Sequence, residues 1–156
     1  MEKTNAMRTL DQKKCVYQSH LYDASLLNAV EVARFLGKDP SRVFKTLVTT
    51  GKSRYVFMVP GEKELDLKKA AKAAGEKSLE MLPQKELLPL TGYIHGGCSP
   101  IGMKKPFPTF IDQSAEALDV LCFSAGRAGV QVEMGLQELR KVVPVLSRDL
   151  VKDSQA

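Results

Sequence analysis

The chain has 156 residues, of which 44% are hydrophobic and 26% are charged, a composition typical of a folded globular protein rather than a disordered or fibrous one. The net charge is +5, from 23 Lys and Arg against 18 Asp and Glu, and no apolar stretch approaches the roughly 20 residues that cross a bilayer. We therefore expect a single domain over residues 1–156, with no membrane-spanning segment.

The N-terminal half is predicted to run helix, strand, helix, hairpin, helix. Thr4 is a candidate cap for a first helix, and a strand over 15–20 follows it. The remaining elements of this half are a helix that begins at Ser25 or Asn28 and ends at Gly37, strands over 43–50 and 55–60 joined by a glycine turn, and an alanine-rich helix over 65–74 that stops at Gly75.

The C-terminal half is predicted to be mainly strands. A short helix over 83–90 starts with proline, and the β-rich segments 109–112, 120–124 and 130–134 come before a last helix over 136–143. Helices interleaved with hairpin-linked strands predict a mixed α/β (α+β) fold with a curved, barrel-like sheet flanked by helices.

The N-terminus and the cysteines indicate a reducing compartment and no metal. Residues 1–7 lack the apolar core of a signal peptide, so we expect a cytoplasmic protein. Three cysteines at wide spacing match neither a disulfide framework nor a CxxC motif, and the chain has only two histidines. We expect neither a metal nor another cofactor. The residues concerned are Cys15, Cys98, Cys122, His20 and His95.

The positive charge is concentrated in one segment. Between Lys38 and Lys77 there are ten basic and five acidic residues, whereas the rest of the chain has thirteen of each. Such a distribution favours a polyanionic partner, because phosphate neutralisation dominates affinity for nucleic acids. The alternative is a lysine-rich solvated surface, since +5 is a modest charge.

The strand around Lys45 is the first segment with candidate chemistry. Strand alternation places Lys45 on the same face as Val43 and Leu47. A lysine among apolar residues is costly to desolvate, so it either reaches water at the edge of the sheet or serves a binding site.

The second segment is the loop over 92–106, which contains four glycines and two prolines. Its backbone amides could hold an oxyanion or a phosphate, although the loop fits neither a Walker motif nor GxGxxG and an ordinary turn is the alternative. A nucleophilic Cys98 with His95 as base would need an imidazole–thiol hydrogen bond that nothing in such a loop fixes. A small packed cysteine is the simpler interpretation.

The third segment runs from Ser124 to Glu133, with two glycines around Arg127. Alternation places Val130 and the next alternate residues on one face, so Gln131 and Glu133 point away from that core. The alternative is an ordinary β-hairpin whose outward-facing side chains are polar. No residue of the chain stands out as a protein-borne general base.

Together these three segments resemble the Cys-tRNA(Pro) deacylases of the YbaK/EbsC type, which are related to the editing domain inserted in bacterial prolyl-tRNA synthetases. The resemblance runs from about Met7 to Asp149. It rests on the strand 43–47, the loop 91–102 with two following lysines, and the hairpin 124–133.

The resemblance implies hydrolysis of the ester that joins a wrongly attached amino acid, chiefly cysteine, to tRNA. It implies that Lys45 is catalytic and engages the phosphate of the 3′-terminal nucleotide, and that the backbone of the loop 96–100 positions the aminoacyl carbonyl. Gln131 stands where some relatives have an aspartate, and the segment 23–31 is shorter than in some of them. The implied substrate-binding residues are Tyr22, Gly96, Gly97, Cys98, Ser99, Pro100, Ser124 and Gln131.

The resemblance also implies substrate-assisted catalysis, in which the cysteinyl thiol attacks its own ester carbonyl or the neighbouring ribose hydroxyl assists the attack. The expected partners are the acceptor end of an aminoacyl-tRNA and prolyl-tRNA synthetase, because so small a protein has little surface with which to read tRNA identity. Cys-tRNA(Cys), Ala-tRNA(Pro) and a non-catalytic tRNA-binding role remain alternatives.

Overall fold

The fold combines five α-helices with eight β-strands over residues 2–153, which are the residues that the computed structural model describes. The mixed α+β class expected from the sequence is confirmed. The helices are α1 (Asn5–Gln12), α2 (Ala29–Leu36), α3 (Leu67–Ala74), α4 (Gln84–Thr91) and α5 (Leu136–Leu139). The strands are β1 (Gln18–Leu21), β2 (Phe44–Thr50), β3 (Arg54–Pro60), β4 (Glu80–Met81), β5 (Thr109–Asp112), β6 (Leu121–Arg127), β7 (Val130–Met134) and β8 (Leu146–Arg148).

Local capping chemistry sets most helix boundaries. The Asn28 side chain accepts from the backbone N–H of Val30, so Asn28 rather than Ser25 begins α2. The cap of α3 is Asp66, which accepts from two backbone N–H groups of the first turn. Gly37 and Gly75 end α2 and α3 with φ of +68° and +75°, a conformation that glycine adopts at little cost.

Several elements differ from their expected bounds. β1 starts later than expected because the Val16 N–H is held by the Glu138 side chain instead of a sheet partner. α5 is a single turn, after which the N–H groups of Lys141 and Val142 bond to the carbonyls three residues back instead of continuing the α-helical pattern. β4 and β8 are too short to carry a sequence pattern of their own.

The strands form two sheets that meet at the start of β2. The order in the smaller, antiparallel sheet is β1-β7-β6, and in the larger one it is β4-β2-β3-β5-β8, with β5 parallel to both β3 and β8. An isolated parallel bridge between Val43 and Cys122 joins the sheets. The strands of residues 2–153 thus curve around a common core without closing into a barrel.

Apolar layers cover both faces of the larger sheet. On one face Phe44 and Met58 join Phe123 of the smaller sheet and Leu10 of α1 in the main core. On the other face α3 packs against Phe57, whose ring stacks on Phe110 at a centroid distance of 5.3 Å. Full burial of each such side chain contributes about 1.5–3 kcal/mol to folding. This packing fixes the β2–β3 hairpin, which carries Lys45.

Candidate functional site

A cavity of about 550 Å³ opens where the two sheets diverge next to the Val43–Cys122 bridge. β2 supplies one wall, β6 and β7 supply another, and the start of α2, the β4–α4 segment and the loop 92–106 complete it. β4 pairs with Thr49 and Thr50, the last two residues of β2. The earlier residues of β2 along the same edge border the cavity. The volume is within the range of sites for small ligands, about 300–1,000 Å³.

Lys45 lies at this edge as a partly buried and unpaired cation. Its strand neighbours alternate as expected, since Lys45 stands opposite Val59 and Leu47 stands opposite Phe57 on β3. Burial lowers the pKa of the Lys45 ammonium, and the carboxylate of Glu64 partly opposes this effect. No hydrogen bond or ion pair to the Lys45 ammonium comes from any residue in 2–153. A partly buried lysine whose ammonium has no hydrogen-bond partner, at the wall of a cavity, is a candidate for binding an anion.

Three uncharged polar side chains face the same cavity. Ser124 and Gln131 stand opposite each other on β6 and β7, and the Ser124 hydroxyl accepts from the Gly126 N–H at 3.1 Å. Gln131 is 6% exposed, and within the described chain its Oε1 has no hydrogen-bond donor. Thr46 Oγ1 is likewise buried without a partner from those residues. An unsatisfied buried polar group costs about 1–3 kcal/mol, which a bound ligand could offset.

The glycine-rich loop contributes only part of the surface expected of it. Gly96 and Cys98 line the cavity, whereas Gly97, Ser99 and Pro100 are buried behind that surface. Ser99 Oγ accepts from the Ile101 N–H, and a Cβ on Gly97 would lie 3.1 Å from the backbone nitrogen of Ala128. These three residues therefore set the shape of the loop and its close approach to the β6–β7 turn.

Gly96 closes the rim of the cavity against the segment that precedes α2. A Cβ at this position would lie 2.6 Å from Cδ2 of Leu27, and φ is +87°. The Tyr93 hydroxyl donates to the Ile101 carbonyl and so clamps the two ends of the loop together. Leu27 and Asn28 line this side and belong to the segment 23–31, to which the sequence assigned no residue; Tyr22, which the resemblance implied, also lines the cavity.

Cys98 has the properties of a packed residue rather than of a nucleophile. It packs with Val48 and Val56. Burial raises the pKa of its thiol to about 12, so that the thiol stays protonated at neutral pH. His95 is exposed at the cavity rim, and no hydrogen bond joins its ring to Cys98 among the residues described.

Glu133 is a supporting residue that sequence reasoning did not single out. Its carboxylate accepts from Lys38 Nζ at 2.7 Å and from His20 Nε2 at 3.1 Å. Lys38 follows the end of α2, and the first residues of α2 line the cavity. The ion pair between Lys38 and Glu133 therefore attaches this helix to the sheet. The Lys38 ammonium and then the His20 ring lower the pKa of Glu133 against the opposing effect of burial.

The basic segment is partly neutralised by acidic residues from elsewhere in the chain. Within residues 2–153, Lys38, Arg42 and Lys69 of this segment form ion pairs with carboxylates outside it. Its free charge is therefore smaller than the composition indicates. The pairs are Lys38–Glu133, Arg42–Asp119, and Lys69 with Asp149 and Asp153.

Residues 2–153 contain neither a membrane-spanning helix nor a cluster of metal-ligating side chains. No helix there is both long and apolar enough to span a membrane. No group of three or more His, Cys, Asp or Glu side chains in that part of the chain could hold a metal ion.

The family model of the aminoacyl-tRNA editing domain matches residues 24–142. The chain belongs to the aminoacyl-tRNA editing domain family. The matched range includes Lys45, the glycine-rich loop and the β6–β7 hairpin, so the resemblance based on these segments is confirmed.

This editing domain has similar proteins both as separate chains and within larger enzymes. It is 48% identical over 137 residues to an Enterococcus faecalis protein provisionally named Cys-tRNA(Pro)/Cys-tRNA(Cys) deacylase EbsC, covering 85% of this chain and 84% of that protein. It is 35% identical over 74 residues to the proline–tRNA ligase of Thermosipho melanesiensis, a match that spans 13% of the ligase. The domain thus resembles one segment of that ligase.

A solved structure shares the whole fold. It is a crystal structure of a protein provisionally described as a trans-editing enzyme for prolyl-tRNA synthetase. The TM-score is 0.85 at 25% sequence identity, and the match covers 97% of this chain and all of the other (100%).

Proposed function

We propose that this editing domain is an aminoacyl-tRNA deacylase that acts in trans on Cys-tRNA(Pro). The observation that carries the proposal is the unpaired Lys45 ammonium at a cavity whose other facing polar groups are uncharged. An aminoacyl-tRNA end presents a phosphate and a small ester side by side, and such a cavity matches that pair. The name and high coverage of the similar Enterococcus protein support the choice of substrate.

Each polar group of the cavity has a complementary group on the proposed substrate. Lys45 would bind the phosphate of the 3′-terminal nucleotide, which would replace the ion partner that it lacks. Gln131 Oε1 would accept from the α-ammonium of the amino acid, a role that needs an acceptor but no negative charge. Ser124 and Thr46 offer hydroxyls to the ester and to the ribose, and the backbone N–H groups of Gly96 and Cys98, the two residues of the loop that line the cavity, would face the carbonyl.

The proposed reaction uses the substrate's own thiol, because the cavity offers no activated nucleophile. The cysteinyl sulfur forms a bond to the ester carbonyl carbon, the bond from that carbon to the ribose oxygen breaks, and the thiol proton ends on the ribose oxygen. Water then opens the cyclic thioester to give free cysteine. Attack by water assisted by the neighbouring ribose hydroxyl gives the same products. In both routes the protein supplies orientation, which is worth roughly 7–11 kcal/mol in favourable intramolecular reactions.

Prolyl-tRNA synthetase is the proposed source of the substrate. A domain that holds only the acceptor end cannot by itself read the rest of a tRNA, and a segment of a proline–tRNA ligase is similar to this chain. Such a supply of mischarged tRNA would place the protein in the cytoplasm.

The test is deacylation of a panel of charged tRNAs by the wild type, Lys45→Ala and Lys72→Ala. Lys72 is an exposed lysine of α3 and serves as the matched control. We expect release of cysteine from Cys-tRNA(Pro), a decrease of about 10²–10³-fold in Lys45→Ala, and wild-type rates in Lys72→Ala. Far-UV circular dichroism and thermal melting check that both variants are folded.

The same panel separates the alternatives. The thiol route requires that Ser-tRNA and Ala-tRNA react far more slowly than Cys-tRNA, whereas equal rates would favour attack by water. Tight binding of charged tRNA without turnover would favour a binding module. If Lys45→Ala deacylates within about threefold of the wild type, the role given to Lys45 is wrong.

A further inference from the structure

A second groove, of about 440 Å³, lies at the far end of the β2–β3 hairpin from Lys45. Its charged residues are Lys52 in the turn, Arg54 at the start of β3 and Lys105 in the loop that precedes β5. Ser53, Tyr55, Leu90, Phe107 and Pro108 form the rest of its surface, and Phe107 and Leu90 pack together against Val48 and Val56. The groove thus combines three cations with aromatic and aliphatic faces.

The groove carries an excess of positive charge, which the carboxylate beside it, Glu76, offsets only in part. None of its lining residues is acidic. The nearby Glu76 carboxylate accepts from the backbone N–H groups of Lys52 and Ser53 and from the Tyr55 hydroxyl, so it fixes the hairpin turn. These contacts lower the pKa of Glu76, with the backbone N–H of Lys52 having the largest effect.

Arg54 indicates more specifically than the excess of charge that the groove binds phosphate. Its Nε is buried, and no residue in 2–153 accepts a hydrogen bond from it. A buried guanidinium N–H without an acceptor is costly, and phosphate oxygens match the planar fork of guanidinium donors. Lys52 and Lys105 are exposed on either side of it, where they can contact neighbouring phosphates of one strand.

The two sites lie on one path across the molecule. Arg54 stands opposite Thr50 on β2, five residues from Lys45, which is about 17 Å at roughly 3.3 Å per strand residue. α4 lies between the sites, with Leu87 at the cavity and Leu90 at the groove. At about 3.4 Å per stacked nucleotide, this separation equals roughly five nucleotides of one strand.

We propose that this groove binds the RNA backbone of the acceptor strand as the strand leaves the cavity. Arg54, Lys52 and Lys105 would contact phosphodiester oxygens, and the aromatic faces would pack against a ribose or base. The inference rests on the proposed function, because that function places the 3′ end of the strand at Lys45.

The first experiment measures binding of RNA without any chemistry. A fluorescein-labelled, uncharged RNA hairpin with a single-stranded 3′ CCA end is titrated with the wild type, with Lys52→Glu/Lys105→Glu and with Lys68→Glu/Lys72→Glu. The last variant changes the net charge equally on exposed positions of α3, which packs on the opposite face of the sheet. We expect at least tenfold weaker binding in the groove variant only. The slope of log K against log salt should fall by about 1.4 there, from two lost contacts of about 0.7 each.

The second experiment locates the effect in the strand rather than in the reacting end. The cysteinyl ester of adenosine is too short to reach the groove, so its hydrolysis should be equal in the groove variant and the wild type. With Cys-tRNA(Pro), the groove variant should show a KM at least tenfold higher and a nearly unchanged kcat.

Each part of the reasoning has its own contrary result. Equal RNA binding by the groove and α3 variants, or an equal loss of adenosine-ester hydrolysis in the groove variant, would overturn the groove proposal. Inorganic phosphate that displaces the hairpin at millimolar concentration, and only when Lys52 and Lys105 are present, would identify a small-anion site and also overturn it. A wild type that binds the hairpin through the groove but hydrolyses neither ester would instead contradict the proposed function.

Discussion

Replacement of Glu133 by Gln tests whether the wall of the cavity depends on one carboxylate. The Glu133 side chain is 11% exposed and accepts hydrogen bonds from Lys38, from His20 and from the Cys122 thiol, of which the pair with Lys38 is charged at both ends. Hydrogen bonds to charged groups contribute about 1.5–3 kcal/mol, and Lys38 is partly solvated, so we expect a total loss of about 1.5–3 kcal/mol in the free energy of unfolding. For a domain of this size that is a decrease in Tm of roughly 3–12 °C.

The pH dependence of this loss follows from the pKa shifts of the pair. The pKa of Glu133 is lowered in the folded state, chiefly by Lys38, so its contribution is present above its ordinary pKa and is lost as the pH falls through the folded value. The pKa of Lys38 is raised, chiefly by Glu133, so the contribution of Lys38 is lost only as the pH rises through that raised value. The stability difference between wild type and Glu133→Gln should therefore be constant near neutrality and shrink below about pH 4.5.

Urea unfolding from pH 3 to pH 8 measures this difference. Glu64→Gln is the control, because Glu64 pairs with Lys152 between two exposed side chains and its removal should change the midpoint little. Glu133→Gln should also raise the KM for Cys-tRNA(Pro), because α2 loses its attachment to the sheet next to the cavity. An unchanged midpoint at pH 7, or a difference that persists undiminished at pH 3, would refute the reasoning.

Two further variants test the packing around the site. Gly61→Ala places a Cβ 2.3 Å from that of Ala29, so it should displace the start of α2, cost about 1–3 kcal/mol and weaken deacylation. At Gly75 no atom lies near the position of a Cβ, but φ is +75°, so Gly75→Ala should lower the free energy of unfolding and leave deacylation unchanged. Equal deacylation rates of Gly61→Ala and Gly75→Ala would contradict the role given to Gly61. The raised pKa of Cys98 predicts that iodoacetamide at pH 8 labels Cys15 before Cys98, measured by peptide mass spectrometry. Faster labelling of Cys98, or loss of deacylation in Cys98→Ala, would reopen a nucleophilic role.

The elements that the sequence predicts well are those whose signals are local. Asn28 and the glycines at 37 and 75 act within one turn of the helices that they bound, so their chemistry can be identified without a fold; Asp66, expected inside its helix, proved to be the cap. The β2–β3 hairpin is predictable for the same reason. The start of β1 depends instead on the contact of the Glu138 side chain with Val16, 122 residues away along the chain, and α5 ends where Lys141 and Val142 bond to carbonyls three residues back, which no residue pattern of this segment marks.

The residues of the site also differ in whether the local sequence or the fold determines their contacts. Lys45, Ser124 and Gln131 belong to strands, and alternation correctly directs Gln131 and Glu133 away from the core. Alternation does not tell which neighbour each of them meets: Gln131 faces the cavity, whereas Glu133 pairs with Lys38. That difference depends on where α2 crosses the sheet, and this crossing depends on the absence of a Cβ at Gly61.

The distribution of positive charge in the folded protein differs from its distribution along the sequence. Counted along the sequence, the basic segment is one block, but ion pairs with distant acids remove Lys38, Arg42 and Lys69 from it. The hairpin places Lys45 at one of its ends and Lys52 with Arg54 at the other, and the loop before β5 adds Lys105 beside them. A strand of RNA is an anion repeated at regular intervals, so two separated sites on one hairpin fit it better than a single dense patch would. The same separation lets the two sites be tested independently, because a substrate that lacks the strand reaches only the first.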